Sequence, residues 1–233
     1  MRTPKNIGAS MVLAVALAAC ASIEPKDYSA FRAENPHSIL VVPVLNNSIS
    51  VEAPEFFLST VSRPFAERGY YVFPANMVKS VLERSGLPDA ALVHNADPRR
   101  LEALFGCSAV LLITIQKWES QYIVIQTSTT VEFDYVLKSC RTGATIWVDK
   151  QSMTYSPQAN ANSGNLLADV VAQAVVSAIE KAAPNYMPLT QQANMVAATT
   201  AGQGLPAGPY LAAEYGKDSK QFPKQNPQQR AGD

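Results

Sequence analysis

The 233-residue chain is predicted to fold as one α/β (α+β) domain. Its mixed sheet of about five strands begins as a βαβ unit, continues as an antiparallel β-meander and carries helices packed on it. Two observations set this class. The run Ser38-Ile39-Leu40-Val41-Val42-Pro43-Val44-Leu45 is continuously apolar and β-branched, as expected of a strand buried on both faces. Between residues 54 and 105 helical periodicity alternates with a short aromatic strand, whereas from 109 to 155 three β-rich runs follow one another directly. Composition agrees: 47% hydrophobic and 16% charged residues supply one core and are too apolar for a disordered chain.

Pro43 lacks a donor, so it belongs at an edge or a strand end. After the polar loop 46–53, Pro54 starts a helix with Phe57, Leu58, Val61 and Phe65 on one face and Pro64 kinking its last turn. Gly69 is a suitable residue just past the helix end, and Tyr70-Tyr71-Val72-Phe73 is a strand closed by Pro74. Strand, helix and strand in that order imply a parallel pair joined by a right-handed crossover. A helix over about 75–84 presents Val78, Val81 and Leu82 and stops at Gly86-Leu87-Pro88. Asp97-Pro98 is an N-cap followed by proline in the first turn, which places Leu101, Leu104 and Phe105 together before Gly106.

The three β runs cover 109–118, about 123–138 and 145–155, with a turn at Arg141-Thr142-Gly143-Ala144. Val131, Phe133, Tyr135 and Leu137 alternate with Glu132, Asp134 and Lys138, so one face is buried and the other wet or covered by a partner. A long carboxy-terminal helix follows. Leu166, Leu167, Val170, Val171, Ala174, Val175, Ala178, Ile179 and Ala182 form a stripe that packs on the sheet, with Asp169, Gln173, Ser177, Glu180 and Lys181 opposite. The domain thus spans 37–184, and residues 185–233, rich in Gln, Pro, Gly and Ala, form an irregular tail.

The amino terminus gives an address. Arg2 and Lys5 precede an apolar stretch over 7–19, too short for the roughly 20 residues of a membrane-spanning helix. Leu17-Ala18-Ala19-Cys20 resembles a bacterial lipobox, which implies cleavage of residues 1–19, covalent lipid on Cys20 and a lipidated tether over 20–36. More than one acyl chain gives a firm anchor. Ala21 and Ser22 replace the aspartate associated with inner-membrane retention, so the resemblance implies the outer membrane, facing the periplasm. Lys and Arg number 19, as do Asp and Glu; loss of Arg2 and Lys5 leaves 17 against 19. That balance excludes nucleic-acid binding driven by bulk positive charge.

With Cys20 lipidated, Cys107 and Cys140 remain as a pair in an oxidising compartment. Antiparallel pairing of the first two β runs brings both to the same end of the hairpin, where a disulfide or two buried thiols are both open. His37 and His94 have no metal-like partners, and no nucleophile elbow, phosphate loop or dinucleotide glycine triplet occurs. Glu132 and Asp134 share a strand face, which alternation explains as a solvent face rather than a catalytic pair. Trp118, Tyr122 and Trp147 read as core residues ahead of a ligand groove. No enzyme, metal or cofactor beyond the lipid is expected.

SILVVPVLN at 38–46, AERGYYVFP at 66–74, AVLLITIQKW at 109–118, TGATIWV at 142–148, LPAGPY at 205–210 and YGKD at 215–218 together resemble a bacterial lipoprotein family classed as domain of unknown function 799. The resemblance covers nearly the whole chain. It implies an α/β domain similar to the amino-terminal domain of TolB and the periplasmic domain of CsgG. It also implies a non-enzymatic assembly or adaptor role in a secretion or surface-structure apparatus with a CsgG-like lipoprotein partner, and a homo-oligomer. A peptidoglycan-binding or cell-wall-synthase-regulating lipoprotein is the alternative. Gly208, Pro209, Tyr210, Tyr215, Gly216 and Asp218 are the candidate interaction motif, combining turn formers with aromatic anchors; the family's histidine after Gly-Pro-Tyr is Leu211 here.

Overall fold

Pro43 divides the first apolar run in two. In the computed structural model, which describes residues 24–123, 126–157 and 184–224 with Gln173, Ser177 and Ile179, β1 is Ser38–Val41 and β2 is Leu45–Asn46. Both lie parallel to β4, Ala109–Ile123. Val41 pairs with Leu111 but Leu45 with Thr114, so one side carries an extra residue. That excess is a bulge at Val42-Pro43-Val44, where a residue without an N–H costs the ladder nothing.

The predicted βαβ unit is present. Helix α2 (Ala53–Glu67) takes Pro54 in its first turn and buries Phe57, Val61 and Phe65. Strand β3 (Tyr71–Val72) then runs parallel to β1. Local signals also account for α3 (Ala75–Arg84) and α5 (Pro98–Phe105), the latter capped by the Asp97 carboxylate, which accepts from the Arg99 N–H. Between them lies α4 (Ala90–Asn95), unexpected from periodicity but capped in the same way by Asp89. Strands β4, β5 (Gln126–Ser139) and β6 (Thr145–Tyr155) form the antiparallel meander. The sheet order is β3-β1-β4-β5-β6, with β2 on β4, six strands in all.

Two cores sandwich this sheet. Ile39 and Val41 point to the face covered by α2, while Leu40 and Val42 point to the face covered by α3, α4 and α5. The first half of β4 is buried on both sides, which is why it reads as an unbroken apolar run. Strand β5 has only one fully covered face, hence its alternation.

Three expectations are corrected. Residues 20–36 are not a free tether throughout: Ser29–Glu34 forms α1, and Tyr28 and Phe31 are buried in the main core. The region after 184 is not an irregular tail, because Met187–Thr199 forms α6 on α2 and β6, and Leu205 and Phe222 are fully buried. The helix expected over 166–182 lies outside the described residues except at helical Gln173, Ser177 and Ile179; there Ser177, expected opposite the stripe, is buried, and Ile179, expected in it, is 65% exposed. Thr127 at the start of β5 donates its hydroxyl proton to the Ser177 carbonyl.

A buried polar relay locks α6 to both neighbours. Tyr135 Oη donates to Asn194 Oδ1 at 2.8 Å, and Asn194 Nδ2 donates to Thr60 Oγ1 at 2.9 Å. Thr60 in turn donates to the Phe57 carbonyl at 2.8 Å. Each of the four side-chain polar atoms of this relay has a partner, the condition under which a buried network specifies one packing.

Candidate functional site

The motif residues at 205–218 are brought together as a strap over the α2–β3 turn. Gly208 and Gly69 stand in backbone contact: a Cβ on Gly208 would lie 2.2 Å from the Gly69 carbonyl oxygen. The Gly208 N–H donates to Arg68 O at 2.8 Å, and the Tyr210 N–H donates to Gly69 O at 3.1 Å. Only glycine permits this approach. The strap's carbonyls are held from beneath. Tyr70 Oη donates to Pro206 O at 2.7 Å, Tyr28 Oη to Gly204 O at 2.6 Å, and Arg68 Nε to Leu205 O at 2.7 Å. Burial pushes both phenols far above their ordinary range, so they remain donors.

Asp218 is the strap's charged pin. Its side chain, 7% exposed, receives Arg32 Nη2 at 2.5 Å on one oxygen and the Ala207 N–H at 2.6 Å on the other. Arg68 Nη2 stands 3.6 Å from that second oxygen, and the Arg68 guanidinium lies over the Phe222 ring. Asp218 therefore joins α1, α2 and the strap. Gly216 turns the chain at φ 74° with open space around it, and Tyr215 Oη donates to Asn35 Oδ1 at 2.8 Å. Pro209 is half-buried, and Tyr210, at 70% exposure, is the motif's outward-facing aromatic. The hydrogen bonds and ion pair of the motif thus lie within the chain.

Arg32 and Arg68 escaped sequence reasoning because each looks like an ordinary surface cation. Neither has a carboxylate at helical spacing: their shared partner Asp218 lies 186 and 150 positions away, and Glu214, 3.0 Å from Arg68, lies 146 away. The Arg68-Gly69-Tyr70 triplet at a helix end was the available signal, but it announced only the end.

Cys107 and Cys140 form a disulfide, with Cα atoms 6.0 Å apart, beside the Ala109–Ser139 pair that opens the β4–β5 ladder. Cys20 lies outside the described residues. His37 is exposed; His94 is half-buried with Nε2 3.0 Å from Pro43 O, and burial lowers its pKa. Glu132 and Asp134 occupy the open sheet face and belong to separate cross-strand pairs. Lys117 Nζ is 3.0 Å from Glu132, while Lys150 Nζ is 3.2 Å and Gln116 Nε2 2.7 Å from Asp134. Hydrogen bonding to Glu132 raises the Lys117 pKa.

Trp118 is buried and stacked between Tyr186 and Phe56. Trp147 is also buried, and its Nε1–H donates to Gln203 O at 2.9 Å. The two indoles are core residues; Tyr122 is 44% exposed.

One further concavity was not foreseen. A crevice of about 650 Å³ opens at the carboxyl ends of β1 and β3, between the first turns of α2 and α3. Val41, Val44 and Leu58 contribute apolar surface, and Glu55, Asn76 and Lys79 lie exposed around it. Crossovers leave these strands toward opposite sheet faces, the topology that creates ligand crevices in open α/β sheets. No group of three or more His, Cys, Asp or Glu that could hold a metal occurs among the described residues. No helix among them is long and apolar enough to cross a membrane.

Residues 26–210 match the family described as "Putative lipoprotein GNA1162-like". The chain is 35% identical over 176 residues to the lipoprotein NMB1124/NMB1162 of Neisseria meningitidis serogroup B, covering 76% of this chain and 80% of that one. The crystal structure of lipoprotein GNA1162 from Neisseria meningitidis is similar at 37% identity and a TM-score of 0.51, over 62% of this chain and 98% of that one. PelC from Paraburkholderia phytofirmans, seen as a dodecamer, is more remote, at 12% identity and a TM-score of 0.37 over 68% of this chain and 91% of that one. That likeness is too low to transfer an assembly state.

Proposed function

The chain belongs to the GNA1162-like lipoprotein family, and from that premise we propose that it is a lipid-anchored, non-enzymatic adaptor of the cell envelope. Lipid on Cys20 holds it to the outer membrane with its domain in the periplasm, where it assembles with copies of itself and a CsgG-like lipoprotein of a secretion or surface-structure apparatus. Membership in a lipoprotein family is the observation that carries this reading. The Cys107–Cys140 disulfide supports it, because such bonds persist in oxidising compartments. So does the pairing of Glu132 and Asp134 with separate cationic partners, which removes the most obvious carboxylate pair from acid–base work. The mechanism is tethering and protein contact, with the crevice beside β1 and the exposed Ile49 and Val51 of the adjoining loop as contact surface.

Cross-linking in intact cells, followed by detergent extraction and intact-mass analysis of wild type and Cys20→Ala, tests it. Wild type is expected to carry a lipid-sized mass increment and a discrete cross-linked assembly that contains a CsgG-like protein and is lost in the variant. A lipidated monomer retained by purified sacculi would instead support the cell-wall-binding reading, and unlipidated protein would overturn both.

A further inference from the structure

The described chain begins inside the fold rather than on a free leash. The Lys26 N–H donates to Gly202 O at 2.8 Å, and its ammonium reaches Gln203 O at 2.9 Å, Val148 O at 2.8 Å and Asp149 at 2.5 Å. It also stands 5.3 Å from the Trp147 ring centre. Two residues on, the Tyr28 N–H donates to Pro223 O at 2.9 Å and the Tyr28 ring meets Phe222 edge-on. Gln203 Nε2 donates to Glu24 O at 2.7 Å, and Pro25 packs on Gly202. The segment leading to the anchor is gripped between β6 and the two ends of the carboxy-terminal strap.

We infer that this grip, complete at Lys26, ends the tether, so that the lipid surface bearing the anchor lies within about 20 Å of the β6 edge at Trp147. The inference rests on the lipidation of Cys20 proposed above. Six peptide steps separate Cys20 from Lys26, and at about 3.5 Å per step they reach about 20 Å. Were 24–37 a free linker, the first held residue would be Ser38 in β1, and eighteen steps would allow about 60 Å. The strap thereby removes about two-thirds of the available stand-off. It confines the domain's partners to the layer next to the membrane.

The chain's two tryptophans supply the ruler. Trp118 pairs with Val131 and Trp147 with Leu137, which places the two indoles six residues, or about 20 Å, apart along β5. A Trp118→Phe protein leaves Trp147, next to Lys26, as sole donor for energy transfer to dansyl-labelled phosphatidylethanolamine in phosphatidylethanolamine/phosphatidylglycerol vesicles. Full-length lipidated protein is expected to transfer strongly. Inserting a twelve-residue Gly/Ser segment between Ser22 and Ile23, which restores the length between Lys26 and Ser38, should lower transfer at least about twofold while leaving the grip intact. A Lys26→Ala, Gly208→Val protein, in which the grip is loosened, should fall with it. Equal transfer from the intact and the inserted protein overturns the inference. An intact mass recorded on the same sample separates the two failures: lipidated protein with unchanged transfer overturns this inference alone, and unlipidated protein overturns the anchor as well.

Discussion

Replacing Gly208 with alanine adds one methyl group where the backbone of Gly69 already stands. The new Cβ would meet the Gly69 carbonyl oxygen at 2.2 Å, its carbonyl carbon at 2.5 Å and the Tyr70 ring at 3.0 Å. Two of these are main-chain atoms of the turn between α2 and β3, so no rotamer change relieves the contact and the strap must lift. Lifting breaks the bonds from the Gly208 N–H to Arg68 O and from the Tyr210 N–H to Gly69 O. At about 1 kcal/mol net each, with some lost burial of the strap, the sum is about 3 kcal/mol. For a domain of this size that corresponds to a Tm lower by roughly 6–12 °C. Gly216→Ala is the control, because Gly216 has the positive φ that Gly208 lacks and nothing lies within 4 Å of its would-be Cβ. Only backbone strain applies there, about 1 kcal/mol. Thermal unfolding followed by circular dichroism, with the disulfide intact, compares the two. If Gly208→Ala melts within about 2 °C of Gly216→Ala, the close approach of the two glycines is not what seats the strap.

Asp218→Ala leaves the largely buried Arg32 without its carboxylate, while Arg68 keeps Glu214 at 3.0 Å, and a loss of about 3 kcal/mol is expected from urea midpoints at unchanged slope; a loss below about 1 kcal/mol would contradict the pin. Joint replacement of Cys107 and Cys140 by serine opens a 33-residue loop, and loop-closure entropy sets the expected cost at about 3–4 kcal/mol, read from the same transitions against wild type. His94 is held below its ordinary pKa of 6.5 mainly by burial, so as pH falls through that value the unfolded chain takes up its proton first and stability drops. Urea midpoints at about pH 7.5 and about pH 5.5 should therefore diverge more in wild type than in His94→Gln, and equal divergence would remove His94 as the cause. Tyr135→Phe deletes the donor to Asn194 while keeping the ring, and should cost about 1–2 kcal/mol by the same measurement; an unchanged midpoint would show that the relay does not couple α6 to the sheet.

The elements legible from residue order are those that neighbouring residues decide. Asp97-Pro98 starts α5 because the Asp97 carboxylate caps the N–H two residues on, and Val131 through Leu137 form a strand because their alternation has only one face to bury. The parallel start, the meander and the nearness of Cys107 to Cys140 follow from such signals, since an antiparallel pairing of adjacent runs needs no distant partner. The candidate motif was legible as residues but not as a site. Gly208 requires Gly69, Asp218 requires Arg32 and Arg68, and Tyr28 requires Gly204, and these pairs are joined only by the finished fold. Residues 24–35 and 205–223 are polar and irregular when read alone, which is how a linker and a tail look. Of their apolar side chains, Tyr28, Phe31, Leu205 and Phe222 become core because α2, β3 and β6 provide a surface for both segments at once. Local patterns report the cost and gain of ordering a segment on itself; that these two segments order each other is a property of the finished fold.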